Sequence, residues 1–193
     1  MFLPILVILF VVVIYLWSLY NFFVTAKTRI GASVQEIGNQ LKRQADLIPN
    51  LTASVKGYLK HEKEIFEKLT EARKMVVAAS KSGDAQELVE ASSKMQQALA
   101  PIRVVLESNP QLQAQATVSK LMDELRDTAD KVMYSRRTLI DLTADYNIKR
   151  VTFPSMLVAK LFNFEAMPGL KTPEEGEFVE VGEEATKTPK VEL

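Results

Sequence analysis

The sequence predicts an all-α protein: an N-terminal transmembrane helix continuous with an antiparallel up-down four-helix bundle, then a disordered acidic C-terminal tail. Three observations carry that expectation. Residues Phe2 to Val24 hold no charged side chain, and a helix crosses the roughly 30 Å hydrocarbon layer with about 20 apolar residues. Beyond them, apolar residues recur at spacings of three and four, the period of a helix face. No alternating apolar–polar run bounded by turn residues appears, so no strand is expected. The segments read as an anchor over 1–25, a bundle over 26–152, a short apolar segment over 153–164 and the tail over 165–193.

The anchor has the features of a permanent span. Pro4 falls in its first turn, where a missing N–H costs little. Tyr15, Trp17 and Tyr20 gather toward its far end, as rings at headgroup level do. A cleaved leader would show a basic start, a shorter apolar core and a small-residue cleavage site. Nothing basic precedes this run, and Val24-Thr25-Ala26 matches such a site weakly. Lys27 and Arg29 follow the span, with Lys42 and Arg43 further on. Basic residues favour the cytoplasmic side, so the N-terminus is expected outside and the bundle in the cytoplasm.

The elements follow in order. Ile30, Val34, Ile37 and Leu41 share one helical face, and nothing breaks the chain between Val24 and Thr28, so anchor and first bundle helix should form one rod. Gly31, Gly38 and Ala45 recur every seven residues, a small-residue face that would admit another helix closely. Pro49 should end or kink the rod. A second helix is expected from near Asn50, with Leu51, Val55, Tyr58, Ile65, Leu69, Ala72 and Val76 as its stripe. Ser82-Gly83-Asp84 punctuates, and Asp84 with Glu87 has the spacing of a capping box. The third helix carries Leu88, Ala91, Met95, Ala98, Leu99, Ile102, Val105 and Leu106, with a kink expected at Pro101. Ser108-Asn109-Pro110 reads as stop, cap and restart. The fourth helix has a heptad seam: Val118, Leu121, Leu125, Thr128, Val132, Ser135, Leu139, Leu142 and Tyr146. In an up-down bundle this last helix returns to the bilayer surface. The apolar segment after it is therefore expected against the membrane or the lower end of the bundle. The tail beyond Phe164 is rich in Pro, Gly and Glu and is expected to stay disordered.

Composition narrows the function. The net charge is zero, which gives no electrostatic case for nucleic acid. There is no cysteine, so disulfides, thiolate catalysis and cysteine-based metal sites are excluded. His61-Glu62 opens like a zinc-protease helix motif, but the second histidine that motif needs is Ile65. One histidine without cysteine does not complete a usual zinc site. No Gly-rich phosphate loop and no Gly-x-Ser-x-Gly elbow is present. No catalytic residue, metal or cofactor is therefore expected. Arg43, Arg136 and Arg137, with Asp46 and Asp141, are candidates for Arg–carboxylate pairs that fix helix register or recognise a partner; Arg137 reads as solvated. Asn21 at the bilayer surface is a candidate for an amide contact between helices.

Several motifs together resemble the LemA family. They are Tyr20-Asn21 with Arg29, Leu41-Lys42-Arg43, Asp46-Leu47-Ile48-Pro49-Asn50-Leu51, and Val55-Lys56-Gly57-Tyr58 with His61-Glu62. Asn109-Pro110-Gln111-Leu112, Tyr134 with Arg136, Asp141, Tyr146-Asn147 and Phe153-Pro154-Ser155 continue the pattern. The likeness runs from residue 15 to 164. Ala32-Ser33-Val34-Gln35, Gly38 and Gln44-Ala45 depart from the usual family residues. The resemblance implies a bacterial single-pass membrane protein with a soluble helical bundle and no established catalytic activity. The candidate interaction residues are thus Asn21, Arg29, Gly31, Gly38, Lys42, Asp46, Pro49, Asn50, Tyr58, His61, Glu62, Arg136, Asp141, Tyr146, Asn147, Phe153 and Pro154. The expected partners are the lipid bilayer and a membrane or envelope protein, or further copies of the chain.

Overall fold

The computed structural model describes residues 2–58 and 63–171. Among these residues six helices follow one another: α1 (Phe2–Val55), α2 (Lys63–Ser82), α3 (Ala85–Ser108), α4 (Pro110–Gln113), α5 (Ala116–Val151) and α6 (Ser155–Leu161). No strand occurs among the described residues.

Helix α1 is the axis of the molecule. Its 54 residues make a rod of about 80 Å at 1.5 Å per residue. The anchor and the first bundle helix are therefore one continuous helix. Up to Ser18 its side chains are exposed on every face, and α1 is long and apolar enough near its start to cross a membrane. From Leu19 onward a single stripe is buried: Leu19, Phe23, Ala26, Ile30, Ser33, Ile37, Leu41, Gln44, Ile48, Leu51 and Val55.

Of the two outcomes expected at Pro49, an end or a kink, the end does not occur: α1 runs on to Val55. The Pro49 ring faces outward while Ile48, Leu51 and Val55 on either side are buried. An interior proline costs a helix about 3 kcal/mol, and each fully buried aliphatic side chain returns about 1.5–3 kcal/mol. Packing on both sides thus outweighs the lost hydrogen bond. The turn falls later, where Tyr58 N–H donates to the Val55 carbonyl (2.9 Å), and the second helix begins at Lys63 rather than near Asn50.

Helices α2 and α3 form an antiparallel hairpin around Gly83, whose φ of 69° lies in the left-handed region that glycine adopts freely. Asp84 caps α3: its Oδ1 accepts from the N–H groups of Gln86 (2.8 Å) and Glu87 (2.9 Å). The other half of the expected box is relayed. Ser82 Oγ donates to the Glu87 carboxylate and accepts from Asp84 N–H. Helix α3 continues through Pro101 to Ser108. Asn109 then ends it and caps α4, Oδ1 accepting from Leu112 N–H at 3.3 Å.

Helix α5 returns antiparallel to α1, so that Arg43 meets Glu124, Gln44 reaches the Leu125 carbonyl and Phe23 meets Tyr146. Its buried seam is the one expected from sequence, except that Thr143 replaces Leu142, which is half-buried. A straight helix drifts about 20° per heptad against a strict seven-residue repeat; after three heptads the next position, Thr143, is the buried one.

Candidate interaction surface at the base of the bundle

The end of α5, the Phe153-Pro154 turn and α6 build a compact base around the point where α1 leaves its bare stretch. Ser155 starts α6 with a hydroxyl that donates to the Lys149 carbonyl at 2.6 Å, folding the Phe153-Pro154 turn back onto α5. Helix α6 closes with Asn163 at φ 53°. Asn163 N–H donates to the Lys160 carbonyl (3.3 Å) and Phe164 N–H to the Ala159 carbonyl (2.8 Å). This pairing is a Schellman end, for which asparagine is the usual substitute for glycine. It reverses the chain and returns Phe164 to the core.

There Phe164 stacks on Phe23 (4.9 Å between centroids), and Phe23 meets Tyr146 edge-on (5.5 Å). Tyr20 contacts Phe162 edge-on (4.8 Å) and lies 5.8 Å from Phe164. Lys149 Nζ sits 4.9 Å from the centre of the Phe22 ring, a cation–π contact. The chain beyond Phe164 is held as well. Tyr146 Oη donates to the Glu165 carbonyl (2.9 Å), and Asn147 binds both backbone groups of Met167. Lys171 N–H donates to Gln86 Oε1 at the tip of the α2–α3 hairpin. Burial holds the Tyr146 hydroxyl above its usual pKa, since the phenolate would lose its water; Arg150 opposes this weakly and Glu165 adds to it.

Residues 165–171 were expected in the disordered tail and are instead a strap along the bundle. Local composition does not reveal it because the anchoring groups, Tyr146 and Asn147, lie 19 and 20 residues upstream. Met167 and Leu170 are half-buried against the core. Residues 172–193, the remainder of the expected tail, lie outside the described residues.

The other candidate residues separate into groups. Asn21 and Arg29 line a cleft of about 330 Å³ with Ser18, Phe22, Thr25, Ala26, Leu142 and Asp145, beside the base. Phe153 is exposed and Pro154 half-buried next to α6. Lys42, Asp46, Pro49 and Asn50 are exposed along the upper part of α1. Tyr58 Oη accepts from Gln115 Nε2 (2.9 Å), joining the α1 end to the start of α5. Arg136 is half-buried, and Asp141 and Arg137 are exposed. Gly31 lies open, whereas a side chain at Gly38 would touch Leu88 of α3 at 3.8 Å. The upper part of the small-residue face is thus covered by the chain itself. His61 and Glu62 lie outside the described residues. Sequence reasoning leaves Glu124 unnamed as the partner of Arg43, and no local signal points to it.

Among the described residues no three His, Asp or Glu side chains gather to hold a metal ion. A cleft of about 500 Å³ between α3 and α5 is lined by Arg103, Glu107, Asp123, Arg126 and Asp130 among others.

The architecture defines a helical bundle carried on a long helix with a span-length apolar end. The family model for the LemA family matches residues 33–191, and the chain belongs to the LemA family. The match covers the bundle from Ser33 onward, the strap and most of the tail, and starts after Asn21, Arg29 and Gly31. No curated protein matches the chain.

Proposed function

We propose that this protein is a single-pass, membrane-anchored module without catalytic activity, whose bundle binds another membrane or envelope protein as a scaffold. The anchor is the apolar start of α1, within the expected 1–25 segment, held in the plasma (inner) membrane. The N-terminus lies outside and the bundle is cytoplasmic, the side favoured by Lys27 and Arg29. One observation carries the reading: the apolar segment and the central core helix are the same uninterrupted helix, α1. A partner bound to the bundle is then held at a set height above the bilayer. Crosslinking in cells followed by mass spectrometry tests this. A recurrent membrane-protein partner crosslinked through the bundle supports the scaffold role; an isolated monomer without partners contradicts it.

A second reading, self-assembly into a structural membrane oligomer, draws on Gly31, where an added Cβ would meet nothing within 4 Å. Gly31→Leu abolishes oligomers on that reading, and unchanged assembly discards it. Broad substrate screening with a His61→Ala control tests the assignment as a non-enzyme.

A further inference from the structure

We infer that α6 and the turn before it form a foot that lies on the phospholipid surface, a second membrane contact beside the anchor. The inference rests on the proposed anchoring through α1.

Helix α6 has two faces. Ser155, Val158 and Ala159 are buried against the bundle. Opposite them Leu157 is 54%, Leu161 76% and, in the preceding turn, Phe153 77% exposed, with Val151 and Phe162 exposed beside them. An apolar patch of this kind on an otherwise polar surface marks a contact.

Height identifies what it contacts. The eighteen steps from Phe2 to Tyr20 rise about 27 Å at 1.5 Å each, close to the roughly 30 Å hydrocarbon thickness. Tyr20 therefore falls at the headgroup boundary. The Phe162 ring is 4.8 Å from the Tyr20 ring, so the foot sits at that same level. A protein partner would have to reach this patch between the bundle and the bilayer; the lipid is already there. Charge agrees. Lys149, Arg150 and Lys160 lie on or beside the foot and Lys27 and Arg29 on α1 above it, against Asp145 and Glu165. An apolar face rimmed by basic residues is the pattern of an interfacial helix on anionic lipid.

The test is depth-dependent fluorescence quenching of full-length protein in vesicles of phosphatidylcholine and phosphatidylglycerol, brominated either near the headgroup or deep in the chain. Trp17 is the single tryptophan, and its quenching in the unaltered protein reports the anchor. In a Trp17→Phe background, Leu161→Trp and Phe153→Trp place probes on the exposed face without touching the core. Tyr134→Trp, at a side chain 73% exposed higher on α5, is the control. Both foot probes are expected to lose at least about half their emission to the shallow bromines, as interfacial burial of 5–10 Å requires, with the control unchanged. Emission at either foot probe that matches the control overturns the foot while quenching of Trp17 leaves the anchor standing. Blue-shifted but unquenched foot probes mean cover by a second copy and also overturn it. An unquenched Trp17 removes the anchoring reading, and the foot with it.

Discussion

Asn147 holds Met167 by both of its backbone groups. The Nδ2 group donates to the Met167 carbonyl at 2.8 Å and Oδ1 accepts from the Met167 N–H at 3.0 Å. One side chain thus takes the place of a neighbouring strand. With the Tyr146–Glu165 bond it converts seven residues of proline- and glycine-containing chain into a fixed strap.

Replacing Asn147 by leucine removes both bonds, each worth about 0.5–1.5 kcal/mol. Residues 165–171 are then expected to detach, seen as faster hydrogen exchange of the Met167 amide while the α5 amides keep their protection. Asn147→Asp is expected to loosen the strap at neutral pH, where a carboxylate faces the Met167 carbonyl. It regains the strap on acidification, when the protonated acid donates again. Unchanged exchange at Met167 in both variants contradicts the assignment.

Tyr146 links stability to alkaline pH. Burial raises its pKa above the ordinary value of 10.0, so the folded state holds the hydroxyl proton more tightly than the unfolded chain does. The resulting stability is complete below pH 10 and is lost as pH rises from there through the folded-state value. Tyr146→Phe is expected to lose about 1 kcal/mol at neutral pH with the Glu165 bond. Its thermal unfolding in detergent then falls less steeply above pH 10 than that of the parent. An equal alkaline slope in both proteins contradicts this account of Tyr146.

Side-chain packing, more than charge, holds α5 to α1. Arg43 and Glu124 are joined, yet their side chains are 49% and 45% exposed, and such pairs contribute about 0–1 kcal/mol. Glu124→Gln is expected to lower the melting temperature only slightly. Leu125→Ala, at the next residue but 1% exposed, is expected to cost about 2–5 kcal/mol. Comparable losses from the two, measured by thermal unfolding, contradict this ranking.

The two glycines of α1 separate in the same way. A methyl group at Gly38 meets Leu88 at an ordinary 3.8 Å, and Gly31 has open space around it. Alanine at either site is expected to stabilise the helix by about 0.5–1 kcal/mol. Gly38→Leu overpacks the contact with α3 at about 1–3 kcal/mol, whereas Gly31→Leu, in open space, is expected to raise the melting temperature slightly, as Gly31→Ala does. A stabilising Gly38→Leu contradicts the observed seat of α3.

The features legible in the sequence are those set by local period and local chemistry. The Val118–Leu139 seam, the Asp84 and Asn109 caps and the charge-free run from Phe2 all depend on residues within a few turns of one another. Sequence misleads where distant groups decide. Pro49 stays helical because Leu51 and Val55 are buried against other elements. The strap reads as tail because its hydrogen bonds come from Tyr146 and Asn147. Within the candidate surface, Asn21, Tyr146, Asn147, Phe153 and the apolar 153–164 segment are legible as residues. Their assembly is not, because it depends on the reversal at Asn163, after which Phe164 packs against Phe23 and Tyr20 from a distant part of the chain.

The central claim is that α1 remains in the bilayer as one piece with the bundle core. Alkaline carbonate extraction of cell membranes, with N-terminal sequencing of the untagged protein, tests it most directly. The account predicts that the protein stays with the membrane pellet and retains the Phe2–Val24 run; recovery in the aqueous fraction as a chain cut near Ala26 would contradict it.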